Sequence, residues 1–293
     1  GENLTTGDEH YDKDLFAWRA SAEWLPSENW LVRLAYDKLN DKTNPVAGYR
    51  PFPGAVSGVP VLSDRYDTTA GAQDSVATAG INGNNEIDAE GAMLSVDWNV
   101  SDTTTLRSIS AWREDYTESV IDFDGLEVID FDAPVIYDNE QFSQEFQLAS
   151  PAENRLNWIL GLYYFSEEND IRNEYFLPFA DEQFGFPSDD ECCLLMLNGR
   201  SETEAVAVFG EATYRLTDRL DVVLGMRYSD ETRDGDNAVR FLNFPSDVLD
   251  NVAEFDEASF DDFTPKLGLN YTINDDIFAY GSVSQGFKAG GFN

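Results

Sequence analysis

Residues 217–229 read Thr217-Asp218-Arg219-Leu220-Asp221-Val222-Val223-Leu224-Gly225-Met226-Arg227-Tyr228-Ser229. Leu220, Val222, Leu224, Met226 and Tyr228 form one row of an extended chain, with Asp221, Gly225, Arg227 and Ser229 behind it. Successive strand side chains point to opposite faces, so this stretch has a dry side and a wet side. The polar Thr217-Asp218-Arg219 ahead of it suits a tight reversal. Together they read as half of a hairpin.

The same pattern recurs in both directions along the chain. Trp30, Val32, Leu34 and Tyr36 oppose Arg33, Ala35 and Asp37. Ala92, Leu94, Val96, Trp98 and Val100 oppose Met93, Ser95, Asp97 and Asn99. Phe142, Phe146 and Leu148 alternate with Ser143, Glu145 and Gln147, and Leu267, Leu269, Tyr271 and Ile273 with Lys266, Gly268, Asn270 and Thr272. Segments 105–113 and 277–287 sort less cleanly, and 156–165 is apolar on both faces. Ten strands are expected near 14–24, 30–40, 91–100, 103–115, 139–149, 155–166, 201–216, 218–232, 260–273 and 276–287.

Connections of two kinds alternate. Short ones fall at 25–29, 101–103, 150–154, 217–219 and 274–276; long ones at 41–89, 116–138, 168–199 and 233–258. In an up-and-down meander every second connection lies at the same end, so short turns gather at one end and long loops at the other. Bacterial outer-membrane barrels have this asymmetry, and their strands cross the apolar slab in about 9–11 residues. The expected fold is therefore all-β: an antiparallel up-and-down transmembrane β-barrel, to which this chain contributes about ten strands, with short turns at one end and long loops at the other. Lipid then covers the apolar rows. The competing reading is a soluble sandwich, whose second layer would cover them.

Composition narrows the function. Fifty-six Asp and Glu against 19 Lys and Arg leave a net charge of -37 over 293 residues, which excludes binding driven by nucleic-acid phosphates. Aromatic content of 13 % is too high for a disordered chain. No apolar run approaches the roughly twenty residues of a membrane helix. A single histidine, His10, removes multi-His metal sites and most His-based catalysis, so an enzyme is not expected. Trp24, Trp30, Trp98, Trp158, Tyr214 and Tyr271 all lie near short turns, as an aromatic belt at a lipid boundary requires. The acidic excess lies toward the long loops: 116–138 holds Glu118, Asp122, Asp124, Glu127, Asp130, Asp132 and Asp138 with no Lys or Arg. A field of that sign favours neutral or cationic cargo.

Several stretches resemble TonB-dependent outer-membrane receptors. Ala207-Val208-Phe209-Gly210-Glu211-Ala212-Thr213-Tyr214 running through the turn into Met226-Arg227-Tyr228-Ser229 is similar to the family's mid-barrel hairpin. Thr264-Pro265-Lys266-Leu267-Gly268-Leu269-Asn270-Tyr271, followed by Gly286-Phe287-Lys288-Ala289-Gly290-Gly291-Phe292-Asn293, is the most specific match. Phe142-Ser143-Gln144-Glu145-Phe146-Gln147-Leu148 and Trp158-Ile159-Leu160-Gly161-Leu162-Tyr163-Tyr164 also resemble it. The resemblance implies a bacterial outer-membrane transporter for a scarce ligand, most commonly a ferric siderophore or other iron chelate. It also implies energy from the TonB complex through an N-terminal box, a plugged lumen, and contact with lipid and lipopolysaccharide. Because the family's barrel is of the 22-stranded type, residues 1–293 are expected to be a portion of one barrel domain, without plug or closing strands. TonB-dependent uptake of a carbohydrate or vitamin shares this barrel. A passive porin-like channel shares the alternation, but not the Gly-Phe-Lys-Ala-Gly-Gly-Phe-Asn signature.

Wet-face residues Arg33, Asp37, Asp97, Glu145, Arg227, Lys266 and Asn270 are the candidates to meet the ligand, against the plainer reading of a hydrated wall. Asp122, Asp124, Asp130 and Asp132 place carboxylates two apart, which suits calcium coordination, although no complete calcium loop follows. No other cofactor is expected. Adjacent Cys192 and Cys193 offer a vicinal disulfide or free thiols rather than a zinc site.

Overall fold

A computed structural model of the chain describes residues 2–3, 13–43, 67–68, 85–122, 132–150, 154–175, 195–241 and 251–291. Twelve strands follow in chain order: β1 (Glu2–Asn3), β2 (Leu15–Ser27), β3 (Trp30–Asp41), β4 (Asp67–Thr68), β5 (Glu86–Ser101), β6 (Thr104–Asp122), β7 (Asp132–Ala149), β8 (Leu156–Tyr175), β9 (Leu195–Thr217), β10 (Leu220–Phe241), β11 (Asn251–Asn274) and β12 (Ile277–Ser284). The short β1 and β4 pair with each other in parallel. The other ten form one antiparallel sheet in strict chain order from β2 to β12, with those two strands at its open edges. All ten expected strands are present, and the meander is the expected one.

Short reversals share one device. Ser27, Ser101, Thr217 and Asn274 each accept a hydrogen bond from the backbone N–H two residues on, at 3.0–3.4 Å. That side-chain turn competes with the ladder and ends it.

At the other end the ladders run further than the sequence suggests. β6 and β7 stay paired up to Asp122 opposite Asp132, and β8 and β9 up to Tyr175 opposite Leu195. Glu118, Asp138, Asp170 and Arg172, read as loop residues from their polarity, therefore lie on strands. Beyond the membrane both faces are wet, so alternation disappears while backbone pairing continues. Asp124, Asp130, His10, Cys192 and Cys193 lie outside the described residues.

Among the described residues the apolar rows meet no second layer. Leu34, Leu160, Leu162, Leu224, Met226 and Leu267 are each more than half exposed. The buried hydrophobics are mostly small and include Ala35, Ala207 and Val223 on the opposite face. A water-soluble sandwich inverts this arrangement, and a lipid-facing barrel wall requires it. Every turn-proximal aromatic named above lies on the apolar face. Trp30 stacks on Trp98 at 5.2 Å, and the Arg155 guanidinium lies 5.2 Å over the Tyr214 ring.

Segment 105–113 sorts poorly because Ser108 and Ser110 face outward with the apolar row. Gln144 satisfies both, donating to Ser108 Oγ at 3.0 Å and accepting from Ser110 Oγ at 2.5 Å. A second aromatic row, which the sequence reading missed, lies toward the loops. Tyr36, Trp112, Tyr164 and Tyr228 donate to Glu90, Glu140, Glu204 and Asp261 respectively, each on the strand across a long connection. Two belts thus bound the apolar band, with aromatic bodies in the boundary and polar tips toward water.

Candidate functional site

The inner face is organised in charged bridges. Glu23, Arg33, Asp97 and Arg107 alternate in sign across β2, β3, β5 and β6. Arg33 Nε meets Glu23 at 2.8 Å and its terminal nitrogen meets Asp97 at 3.2 Å. Arg107 holds Asp97 from the far side at 2.5 and 3.0 Å. The Asp97 side chain is only 13 % exposed, which makes it the centre of the ladder.

Two further bridges each cross an intervening strand. Asp37, Gly91 and Arg113 are register partners on β3, β5 and β6, and Arg113 reaches Asp37 at 2.9 Å over the glycine. A Cβ on Gly91 would stand 3.1 Å from that guanidinium. Glu211, Gly225 and Lys266 repeat the arrangement on β9, β10 and β11, with Lys266 Nζ 2.8 Å from Glu211. Neighbouring strands lie about 4.8 Å apart, so side chains two strands apart meet only where the middle residue is small.

The doubly apolar stretch 156–165 also has its explanation on this face. The Phe209 ring lies across Gly161, where a Cβ would approach it to 2.1 Å. Arg227 sits 5.4 Å from the Tyr163 ring centroid and 5.9 Å from that of Phe209, with its Nε donating to Ser229 at 2.9 Å. These aromatics stack beneath a cation rather than face lipid.

All seven predicted inner-face residues share this wall by register parity. The structure joins Arg33 to Asp97 directly. Asp37, Arg227 and Lys266 lie in separate clusters, Glu145 accepts from Gln147 at 2.5 Å, and Asn270 stands apart. Sequence reading missed Arg19, Glu23, Arg107, Arg113 and Glu211. Their parity would have placed them on this face once strand boundaries were known.

A recess of about 320 Å³ opens on the loop-ward part of the inner wall. Ala35, Gly91 and Ala111 floor it, Arg19, Asp37 and Arg113 edge one side, and Tyr163 and Phe165 edge the other. Asp122 and Asp132 are opposed in register at the end of the β6–β7 hairpin. Among the described residues, no group of three His, Cys, Asp or Glu is placed to hold a metal, and no helix is long and apolar enough to cross a membrane.

Known proteins share this architecture. Residues 37–293 match the family described as TonB dependent receptor-like, beta-barrel. The pesticin receptor of Yersinia pestis is 24 % identical over 151 residues, which is 51 % of this chain and 20 % of that protein. The chain thus matches about a fifth of that curated relative's length. Among solved structures, the ferric yersiniabactin uptake receptor FyuA from Yersinia pestis superposes with a TM-score of 0.70 at 16 % identity, covering 96 % of this chain and 39 % of that one. The ferric citrate transporter FecA superposes at 0.59 with 10 % identity, covering 93 % and 36 %. The family consists of receptors and transporters of the bacterial outer membrane rather than enzymes, and its members bind small-molecule ligands and TonB. With the family match over most of the chain, the ordered meander and the exposed apolar band in agreement, this chain belongs to the TonB-dependent receptors and forms part of their β-barrel.

Proposed function

We propose that residues 1–293 belong to a single outer-membrane barrel domain and line the uptake path for an iron chelate, with energy supplied through TonB. The recess beside Arg113 carries this reading. In a chain of net charge -37 it brings together two arginines, Arg19 and Arg113, against one carboxylate, Asp37. Its lining thus carries an excess of positive charge, opposite in sign to the chain as a whole. Cationic edges, aromatic rings at Tyr163 and Phe165 and a shallow small-residue floor suit a flat, partly anionic chelate. The volume lies at the low end of small-ligand sites, so this wall supplies one side of the binding cavity. The names of the pesticin and ferric yersiniabactin receptors support cargo of this class. Asp122, Asp124, Asp130 and Asp132 would together hold calcium, read out by calcium titration of the purified receptor.

The test is growth and radio-iron uptake in a deletion strain complemented with the wild type or with Arg113→Ala. Wild type restores growth on one iron chelate, and Arg113→Ala lowers uptake of that chelate about tenfold, the equivalent of one charge-assisted contact. Absence of any growth defect in the deletion strain under iron limitation, with sugar or vitamin uptake impaired instead, refutes the iron assignment.

A further inference from the structure

One transverse row of the inner face runs Arg19, Asp37, Gly91, Arg113, Gln141 and Glu167, as successive register partners from β2 to β8. Arg113 thus has a carboxylate two strands away on either side. Across Gly91 it reaches Asp37, with a terminal nitrogen 2.9 Å from Oδ2. Across Gln141, where a full side chain stands in the way, it does not pair with Glu167, which forms no ion pair among the described residues. The glycine selects the partner.

Asp37 also has a second cation within reach. Arg19 is its direct partner on β2, and Cβ atoms of such partners lie about 4.5–5.5 Å apart. Arg19 edges the same recess and forms no ion pair among the described residues. The Asp37–Arg113 contact is a single hydrogen bond between side chains 32 % and 44 % exposed. Exchanging one such exposed pair for another shifts the balance by no more than about fivefold. Asp37 can therefore leave Arg113 without being left unpaired. A ligand carboxylate can bind Arg113 more strongly, through two parallel N–H bonds, because the other guanidinium N–H groups make no bond among the described residues.

We propose that Asp37 is a displaceable latch on the recess: it holds Arg113 until an anionic group of the ligand takes that guanidinium, and then passes to Arg19. The inference deepens the reading of this recess as a chelate site and rests on it. An uncharged ligand gains nothing from Arg113 and leaves the latch shut. A flat anion opens it, and its arrival at β6 is transmitted to β2.

The test uses the full receptor in detergent micelles, with folding checked by heat-dependent gel mobility. Phthalate, a flat dianion, is titrated and followed by NMR at the isotope-labelled Arg113 guanidinium, identified by its loss in Arg113→Lys. Asp37→Asn should tighten phthalate binding about fivefold. Glu167→Gln, which removes the same charge from the same row, should change it less than about twofold. Phthalamide, the uncharged counterpart, should gain no affinity from Asp37→Asn. Arg19→Gln should weaken phthalate binding about fivefold in the wild type and less than about twofold in the Asp37→Asn background. Asp37→Ser takes the place of Asp37→Asn should that variant fail to fold. Equal effects of Asp37→Asn and Glu167→Gln, a matching gain for phthalamide, or equal losses from Arg19→Gln in both backgrounds each overturn the latch and leave an ordinary anion site. Absence of phthalate binding in the wild type and Asp37→Asn alike refutes the anion-binding recess itself, and the latch with it.

Discussion

The two faces of one strand show how differently neighbouring residues are used. On β10, Leu224 and Met226 point outward and are 57 % and 61 % exposed. Gly225 and Arg227, one residue away on the inner face, instead clear the path of a Lys266–Glu211 bridge and cap a pair of aromatic rings. Outward partners are apolar contacts bounded by aromatic-to-carboxylate bonds; inward partners are salt bridges, two of them reaching across glycines. The environment is set by side-chain parity, so a substitution's cost follows the face it lands on more than the residue type.

The largest effect that would break this contrast is a charge on the lipid face. Leu224→Arg should cost about 2–4 kcal/mol in lipid, while Ser282→Arg on the inner face should stay within about 0.5 kcal/mol. Reversible unfolding in liposomes measures both, and equal costs would remove the distinction between the faces. Next is the shared carboxylate of the inner ladder. Asp97→Ala leaves Arg33 and Arg107 facing each other and should cost about 1.5–3 kcal/mol. A double-mutant cycle with Arg107→Ala should show strong coupling; additive losses would mean that the ladder is not one unit.

A smaller effect of about 1–3 kcal/mol is expected for Gly161→Ala, which displaces the Phe209 ring from beneath Arg227. Gly281→Ala, on the lipid face with nothing within 4 Å, is the uncrowded control, and similar losses at both would refute the close-approach account. The smallest, about 0.5 kcal/mol, is the loss of the belt hydroxyl in Tyr164→Phe, since its bond to Glu204 is long at 3.2 Å and exposed. A greater loss would make that belt a structural clamp rather than a boundary marker.

Much of this was legible without coordinates. Period-two rows at Trp30–Tyr36, Ala92–Val100 and Leu220–Tyr228 define strands with opposite faces, and polar reversals such as Ser101-Asp102-Thr103 separate them. The alternation of short and long connections then orders the ends, because the chain geometry of a meander leaves no other arrangement. Membership of the inner face at Arg33, Asp97, Arg227 and Lys266 followed from parity alone.

Pairings across strands were not legible, because register is a tertiary property: a one-residue slip would exchange every partner. Asp37 with Arg113 and Glu211 with Lys266 lie 76 and 55 residues apart, and each pair meets only because a glycine occupies the strand between them. The extent of the outer hairpins was hidden for a different reason. Where water bathes both faces, the hydrophobic period carries no information, and backbone hydrogen bonds keep Glu118, Asp138 and Asp170 in the sheet. Sequence thus determined which solvent each side chain meets in the membrane band. Only the folded sheet decided which charges meet one another, because those contacts depend on the spacing and register of strands far apart in the chain.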